Sequence, residues 1–215
     1  MYRIPTTEVL RYQVDYAWEV RTGERQPLHE YIEGTADLSY ENRVTDRGLA
    51  LQGRASNVHI RKSSAKAPPL SKDTWVNILL SPRGQTLGLK WNGMVLPFRC
   101  PFWLCFPAGE PAPEWQEDVD VGLPRLEELR FPLHFEVQGS LQLDPFVVRI
   151  SHHVKDSEAS VDIDGEVAFS RSRGVPTRTM LSAKLRGKTN ITARAQATLV
   201  EAAAEEEEVF LFAPR

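Results

Sequence analysis

The chain has little equipment for covalent or metal chemistry. Its two cysteines, Cys100 and Cys105, lie close together around Pro101, and no histidine stands near them. Without a second cysteine pair or a neighbouring histidine, the ligand spacing of a zinc site is missing. A disulfide across this short loop is geometrically allowed, but two free thiols buried among aromatic residues is the simpler expectation. No GxSxG elbow, phosphate-cradling glycine loop, dinucleotide fingerprint or HExxH occurs. We therefore expect no enzyme: no catalytic residue, no metal and no cofactor.

Long apolar runs are also missing. Stretches such as Ile78 to Leu80 fall far short of the roughly 20 residues a spanning helix needs, so no membrane span is expected. The opening MYRIPTTEVLRYQVDY lacks the basic and then apolar pattern of a signal peptide. The chain as written thus carries no export signal, which suits the cytoplasm, or the periplasm if a leader has been removed. With 26 basic and 29 acidic residues, the formal net charge of −3 gives no global attraction to nucleic acid or to an anionic membrane.

What the chain does have is alternation. Of its 215 residues, 41% are hydrophobic and 26% charged, enough apolar material for a sizeable core. Between Val9 and Val20, Leu10, Tyr12, Val14, Tyr16, Trp18 and Val20 oppose Arg11, Gln13, Asp15 and Glu19. Such a period of two makes a long strand with one buried face. The pattern resumes at Leu28, Ile32, Gly34, Ala36, Leu38 and Tyr40, where the small residues suit a bend or the close approach of another backbone. After turn chemistry at Thr45 to Gly48 come Leu49, Leu51, Gly53 and Ala55. The parity then switches before Val58 and Ile60, which predicts a β-bulge near Ser56.

Lys62 to Lys72 reads as a polar loop, and Trp75 to Leu80 and Thr86 to Trp91 as a hairpin about Ser81 to Gly84. Further alternating runs cover Phe131 to Val137, Phe146 to Val154, Val161 to Phe169, Thr177 to Leu185 and Ile191 to Leu199. Only Pro124 to Arg130 and Leu199 to Glu208 have helical character. The expected fold is all-β: a large curved antiparallel meander sheet, a half-barrel or open barrel of about ten strands. Residues 1–200 form its single domain, followed by an acidic and then apolar tail over 201–215.

The middle of the chain, Met94 to Pro124, breaks this rhythm. Pro97, Pro101, Pro107, Pro111, Pro113 and Pro124 fall here among Phe98, Phe102, Trp103, Phe106 and Trp115. Proline removes a backbone donor and fixes φ, so this stretch reads as a rigid apolar crossing, a lid or plug across the sheet. We expect those five aromatic residues to line the surface that the protein uses for an apolar small molecule or lipid.

Other groups carry less. His152 and His153 are neighbours on a strand and point to opposite faces, so one ion cannot easily take both. Glu117, Asp118 and Asp120 could pair for acid-base work, but they read more simply as a solvated acidic loop. Acidic residues are missing from Arg47 to Lys72 and again from Val167 to Val200, leaving basic strand faces that can meet an anionic surface. Aromatic interleaving is absent there, which argues against nucleic acid. The tail places Val209, Phe210, Leu211 and Phe212 behind a run of glutamates, where they can finish the sheet, dock in a groove or bind a protein partner.

In order of elements the chain resembles bacterial half-barrel carriers of the LolA and LppX type. The resemblance rests on LRYQVDYAWEV, on EYIEGTADLSY, on the hairpin NILLSPRGQTLGL, on the proline-rich middle leading to PEW, and on the late GEVAFS, RGVPT and LSAKL segments. It implies a curved sheet around a hydrophobic cavity for acyl chains, with connecting segments as a lid. The functional expectation is a non-enzymatic protein holding a hydrophobic ligand on its concave face. The other expectation is an accessory subunit of a larger assembly, docking through the central segment or the tail.

Overall fold

A computed structural model describes residues 9–23, 28–64, 74–92, 101–102, 104–107, 112–123, 126 and 129–200. Strands β1 (Leu10–Thr22), β2 (His29–Thr45), β3 (Gly48–Ser63), β4 (Trp75–Leu80) and β5 (Thr86–Trp91) form the first half. Strands β6 (Glu114–Asp120), β7 (Arg130–Gln138), β8 (Phe146–Lys155), β9 (Ser160–Ser170), β10 (Val175–Arg186) and β11 (Thr189–Val200) form the second. All eleven belong to one antiparallel sheet in the order β5-β4-β3-β2-β1-β11-β10-β9-β8-β7-β6. The sheet curls into a nearly closed barrel with a seam between β5 and β6.

The order explains the proline-rich middle. Each half is a meander of neighbouring hairpins, and the halves meet where β1 pairs with β11, from Arg11 opposite Val200 to Thr22 opposite Thr189. Each half therefore ends on an outer edge, and the chain must travel from β5 on one edge to β6 on the other. The crossing makes that journey.

Alternation sets the faces. Leu10, Tyr12, Val14, Tyr16, Trp18 and Val20 are all buried, and the same parity holds along β7, β10 and β11, whereas in β8 it ends at Ile150, and Val154, expected on the apolar face, is exposed. The predicted irregularity in β3 is present. The β2–β3 register slips between Thr35 and Asp37, opposite Ser56 to His59, and Asn57 has φ 47°. A second slip lies between Glu33 and Gly34. A Cβ on Gly34 would lie 2.6 Å from the carbonyl oxygen of His59, so this position accepts only glycine without a backbone shift.

Two expectations need correction. Glu114–Asp120, within the expected irregular crossing and acidic loop, is the edge strand β6. It contains no proline, and with Pro113 just before it an edge position costs no ladder hydrogen bond. The described residues contain no helix: Leu126 bridges back to Leu123, Arg130 opens β7, and Leu199 and Val200 finish β11, while 124–125, 127–128 and 201–208 of the expected helices lie outside the described residues. Alternation with residue pairing overrode a weak local propensity there. Among the described residues no helix is long and apolar enough to cross a membrane.

Part of the basic strand faces, at Arg61, Lys62 and Arg194, is engaged by acids on neighbouring strands. Arg61 reaches Asp15 at 2.7 Å and Glu33 at 3.2 Å, and Arg194 reaches Glu33 at 3.1 Å. Exposed pairs of this kind add little stability, but they tie β1, β2, β3 and β11 together on the outward face. Lys66 and Lys72 lie outside the described residues.

Candidate ligand-binding interior

At the end of the barrel where β1 begins and β2 ends, the crossing enters the core. Phe102, Leu104, Cys105 and Phe106 are buried against the inner face. Phe102 meets Tyr40 and Tyr12 edge-on, with ring centroids 5.0 and 5.6 Å away. Phe106 meets Phe169 edge-on at 5.1 Å and lies beside Trp115, whose ring stacks on Phe135 at 5.1 Å and 3°. These are favoured aromatic geometries, and they fix the crossing in one position.

Polar contacts complete this closure. The Trp115 indole N–H donates to the Cys105 carbonyl at 2.9 Å, and the Thr179 hydroxyl donates to the Pro101 carbonyl at 3.4 Å. Tyr12 donates its hydroxyl to the Pro176 carbonyl at 2.8 Å. Burial pushes the free Cys105 thiol up to about 11, so it stays protonated and acts as a small apolar group.

Arg83, in the β4–β5 turn, joins the two sides of the seam. Its backbone carbonyl accepts from the Phe106 N–H at 2.7 Å, and its Nε donates to the Phe106 carbonyl at 2.8 Å. Its guanidinium also pairs with Glu117 on β6. Both side chains are partly buried, at 29% and 22% exposure, so the pair is shielded from solvent. Arg83→Ala is expected to cost about 1–3 kcal/mol. It should also speed amide exchange at Phe106 more than in the centre of β1; equal protection in variant and parent would remove Arg83 as a seam clamp.

Further along the inner face of β1 stand Tyr16 and Trp18. They are 0% and 6% exposed, yet neither Tyr16 Oη nor Trp18 Nε1 has a hydrogen-bond partner among the described residues. Tyr16 faces Gly34 across the β1–β2 pair, and its hydroxyl lies 3.0 Å from where a Gly34 Cβ would be. Burial raises its pKa to about 12, against a smaller opposing effect of Arg61, so it is a neutral donor near neutral pH.

Of the five aromatic residues singled out from the sequence, Phe102, Phe106 and Trp115 lie in the core. The last two share one cluster, while Phe102 belongs with the tyrosines of β1 and β2. Phe98 and Trp103 lie outside the described residues, as do Cys100 and the tail residues Val209, Phe210, Leu211 and Phe212. His152 and His153 have separate surroundings: the first donates Nδ1–H to the Pro132 carbonyl, and the second lies between Asp162 and Asp164. Tyr16 and Trp18 were visible in the sequence only as two more apolar-parity positions.

A concavity spans β2, β1, β11, β10 and β9. It has a volume of about 940 Å³, and its lining joins Trp18, Ile32, Ala183 and Ala193 to the charged Glu33, Lys62, Asp164, Lys184 and Arg194. Charged side chains of both signs, several already paired with one another, surround this apolar lining.

No protein-family model matches the chain, and no curated protein matches it. Among solved structures it is similar to one described as lipid-protein interactions in lipovitellin, with a TM-score of 0.57 and 10% sequence identity. The match covers 92% of this chain and 25% of that one, so the chain spans about a quarter of the length of the structure it resembles. At this identity the likeness concerns fold alone. The chain thus shares a large curled antiparallel sheet with part of lipovitellin.

Proposed function

We propose that the chain is a non-enzymatic binding protein that holds a hydrophobic, lipid-like molecule against the inner face of its sheet. The observation that carries this reading is the continuous apolar face of an eleven-stranded, nearly closed sheet, shut at one end by the crossing. In this reading Phe102, Phe106 and Trp115 form the closed end on which the apolar part of the ligand rests. The ligand itself occupies the half that contains Tyr16 and Trp18. The similarity of fold to a chain described by its lipid interactions supports the same reading. So does the resemblance to LolA- and LppX-type carriers in the order of elements. An uncharged fluorescent polyene, diphenylhexatriene, should bind the full chain saturably, and an unlabelled long-chain lipid should displace it. Weak, non-saturable fluorescence that no lipid displaces would contradict the proposal.

A further inference from the structure

Tyr16 and Trp18 stand out among the buried polar side chains. Tyr12, two turns of alternation earlier on the same strand face, delivers its hydroxyl to the Pro176 carbonyl. Tyr16 and Trp18 are also buried, and their hydroxyl and indole N–H meet no partner among the described residues. Buried donors are normally satisfied, and an unmade bond carries a desolvation cost. Two on adjacent inward positions of one strand mark a polar spot on the apolar inner face, the pattern of a ligand site with a few placed polar groups.

From these two donors we infer that the ligand of the proposed interior carries an uncharged hydrogen-bond acceptor, the carbonyl of an acyl ester, received by Tyr16 Oη–H and Trp18 Nε1–H. This rests on the apolar-ligand reading above and adds a head-group class to it. Both groups act as donors, since an indole N–H only donates and the phenol stays protonated. They therefore call for an acceptor. A neutral acceptor fits best, because the buried polar residues described are Glu30, Thr74, Ser81, Ser170 and Thr179, with an acid but no lysine, arginine or histidine among them. The cations nearest these donors, Arg61, Lys62 and Arg194, are already engaged by Asp15 and Glu33, so a carboxylate or phosphate buried there would compete with those acids for them. The two positions are separated by about 6.6 Å along the strand. An acylglycerol carries ester carbonyls on adjacent carbons of one short backbone, so it can meet both donors while its chains lie along the apolar inner face.

The test compares the full chain with Tyr16→Phe and Trp18→Phe, using dioleoylglycerol, octadecane and oleate at pH 8 as probes. Each substitution should weaken dioleoylglycerol binding about three- to ten-fold and leave octadecane binding unchanged. The parent should prefer dioleoylglycerol to oleate. In ligand-free protein, Tyr16→Phe should melt at the same temperature or higher, because it removes an unsatisfied hydroxyl. A lower melting temperature with unchanged dioleoylglycerol binding would mean that a structural water satisfies the hydroxyl, and would overturn the inference. Preference for oleate, or equal loss for dioleoylglycerol and octadecane, would overturn it as well. If the parent binds octadecane and neither variant alters dioleoylglycerol binding, the anchor falls while the apolar-ligand reading stands. If the parent binds none of the three, that reading falls too.

Discussion

Replacing Phe102 by alanine is expected to lower folding stability by about 3–5 kcal/mol, the range for deleting a buried phenylalanine ring. Phe102 is 1% exposed and wedged edge-on between Tyr12 of β1 and Tyr40 of β2. Those strands lie at the middle of the sheet, far in sheet order from the edges that the crossing connects. The ring is thus the point at which the crossing grips the barrel wall, and its loss leaves both a cavity and two exposed tyrosine faces. Collapse is restricted, because Tyr12 is held by its bond to the Pro176 carbonyl. Urea denaturation followed by tryptophan fluorescence reads the loss. A change under about 1 kcal/mol would be too small for a packed ring of this size and would make the crossing a loosely laid cover.

The second large effect is expected at Gly48, which opens β3 directly after the β2–β3 turn. Its φ of 143° is a conformation that L side chains rarely adopt, and a Cβ there would lie 2.0 Å from the carbonyl oxygen of Leu80. That carbonyl belongs to β4, whose Leu80 stands opposite Leu49. An alanine must therefore distort the turn and also push β3 from β4. We expect Gly48→Ala to cost about 3 kcal/mol or more, conformational strain and steric displacement together. Because β4 and β5 pair with the rest of the sheet through β3, the damage should spread to the Arg83 side of the seam. Hydrogen exchange along β3 and β4 is the check. Protection equal to the parent's would show that the hairpin adapts without separating the strands.

Much of the architecture could be read from local pattern, because each strand carries its own register of apolar and polar positions. The parity switch before Val58 was enough to locate the bulge that the β2–β3 register shows between Ser56 and His59. The small residues at Gly34 and Ala36 signalled the close backbone contact found at His59. What local pattern does not contain is the pairing of β1 with β11, which lies between residues nearly the whole chain apart. That pairing turns the proline-rich middle from a connector into an edge-to-edge crossing. Strand β6 was obscured for a related reason: Glu117 interrupts the apolar face at an inward-parity position, and its partner Arg83 lies on the opposite edge.

The candidate interior was legible in outline only. Aromatic density drew attention to the crossing, and Phe102, Phe106 and Trp115 are indeed buried. Periodicity cannot distinguish Tyr12 from Tyr16, since both occupy inward positions of one strand. The difference is whether a carbonyl comes within reach from β10, as it does at Pro176 for Tyr12. Such a difference depends on how the sheet curls and appears only in three dimensions.

The central claim is that this curled sheet holds a lipid-like molecule inside. Native mass spectrometry of the full chain, purified without detergent, tests it most directly. The account predicts a species heavier than the 24.3 kDa chain by the mass of a small number of lipid molecules, released on denaturation and recovered in an organic extract. A single species at the mass of the bare chain, with nothing in the extract and nothing gained after incubation with dioleoylglycerol, would contradict it.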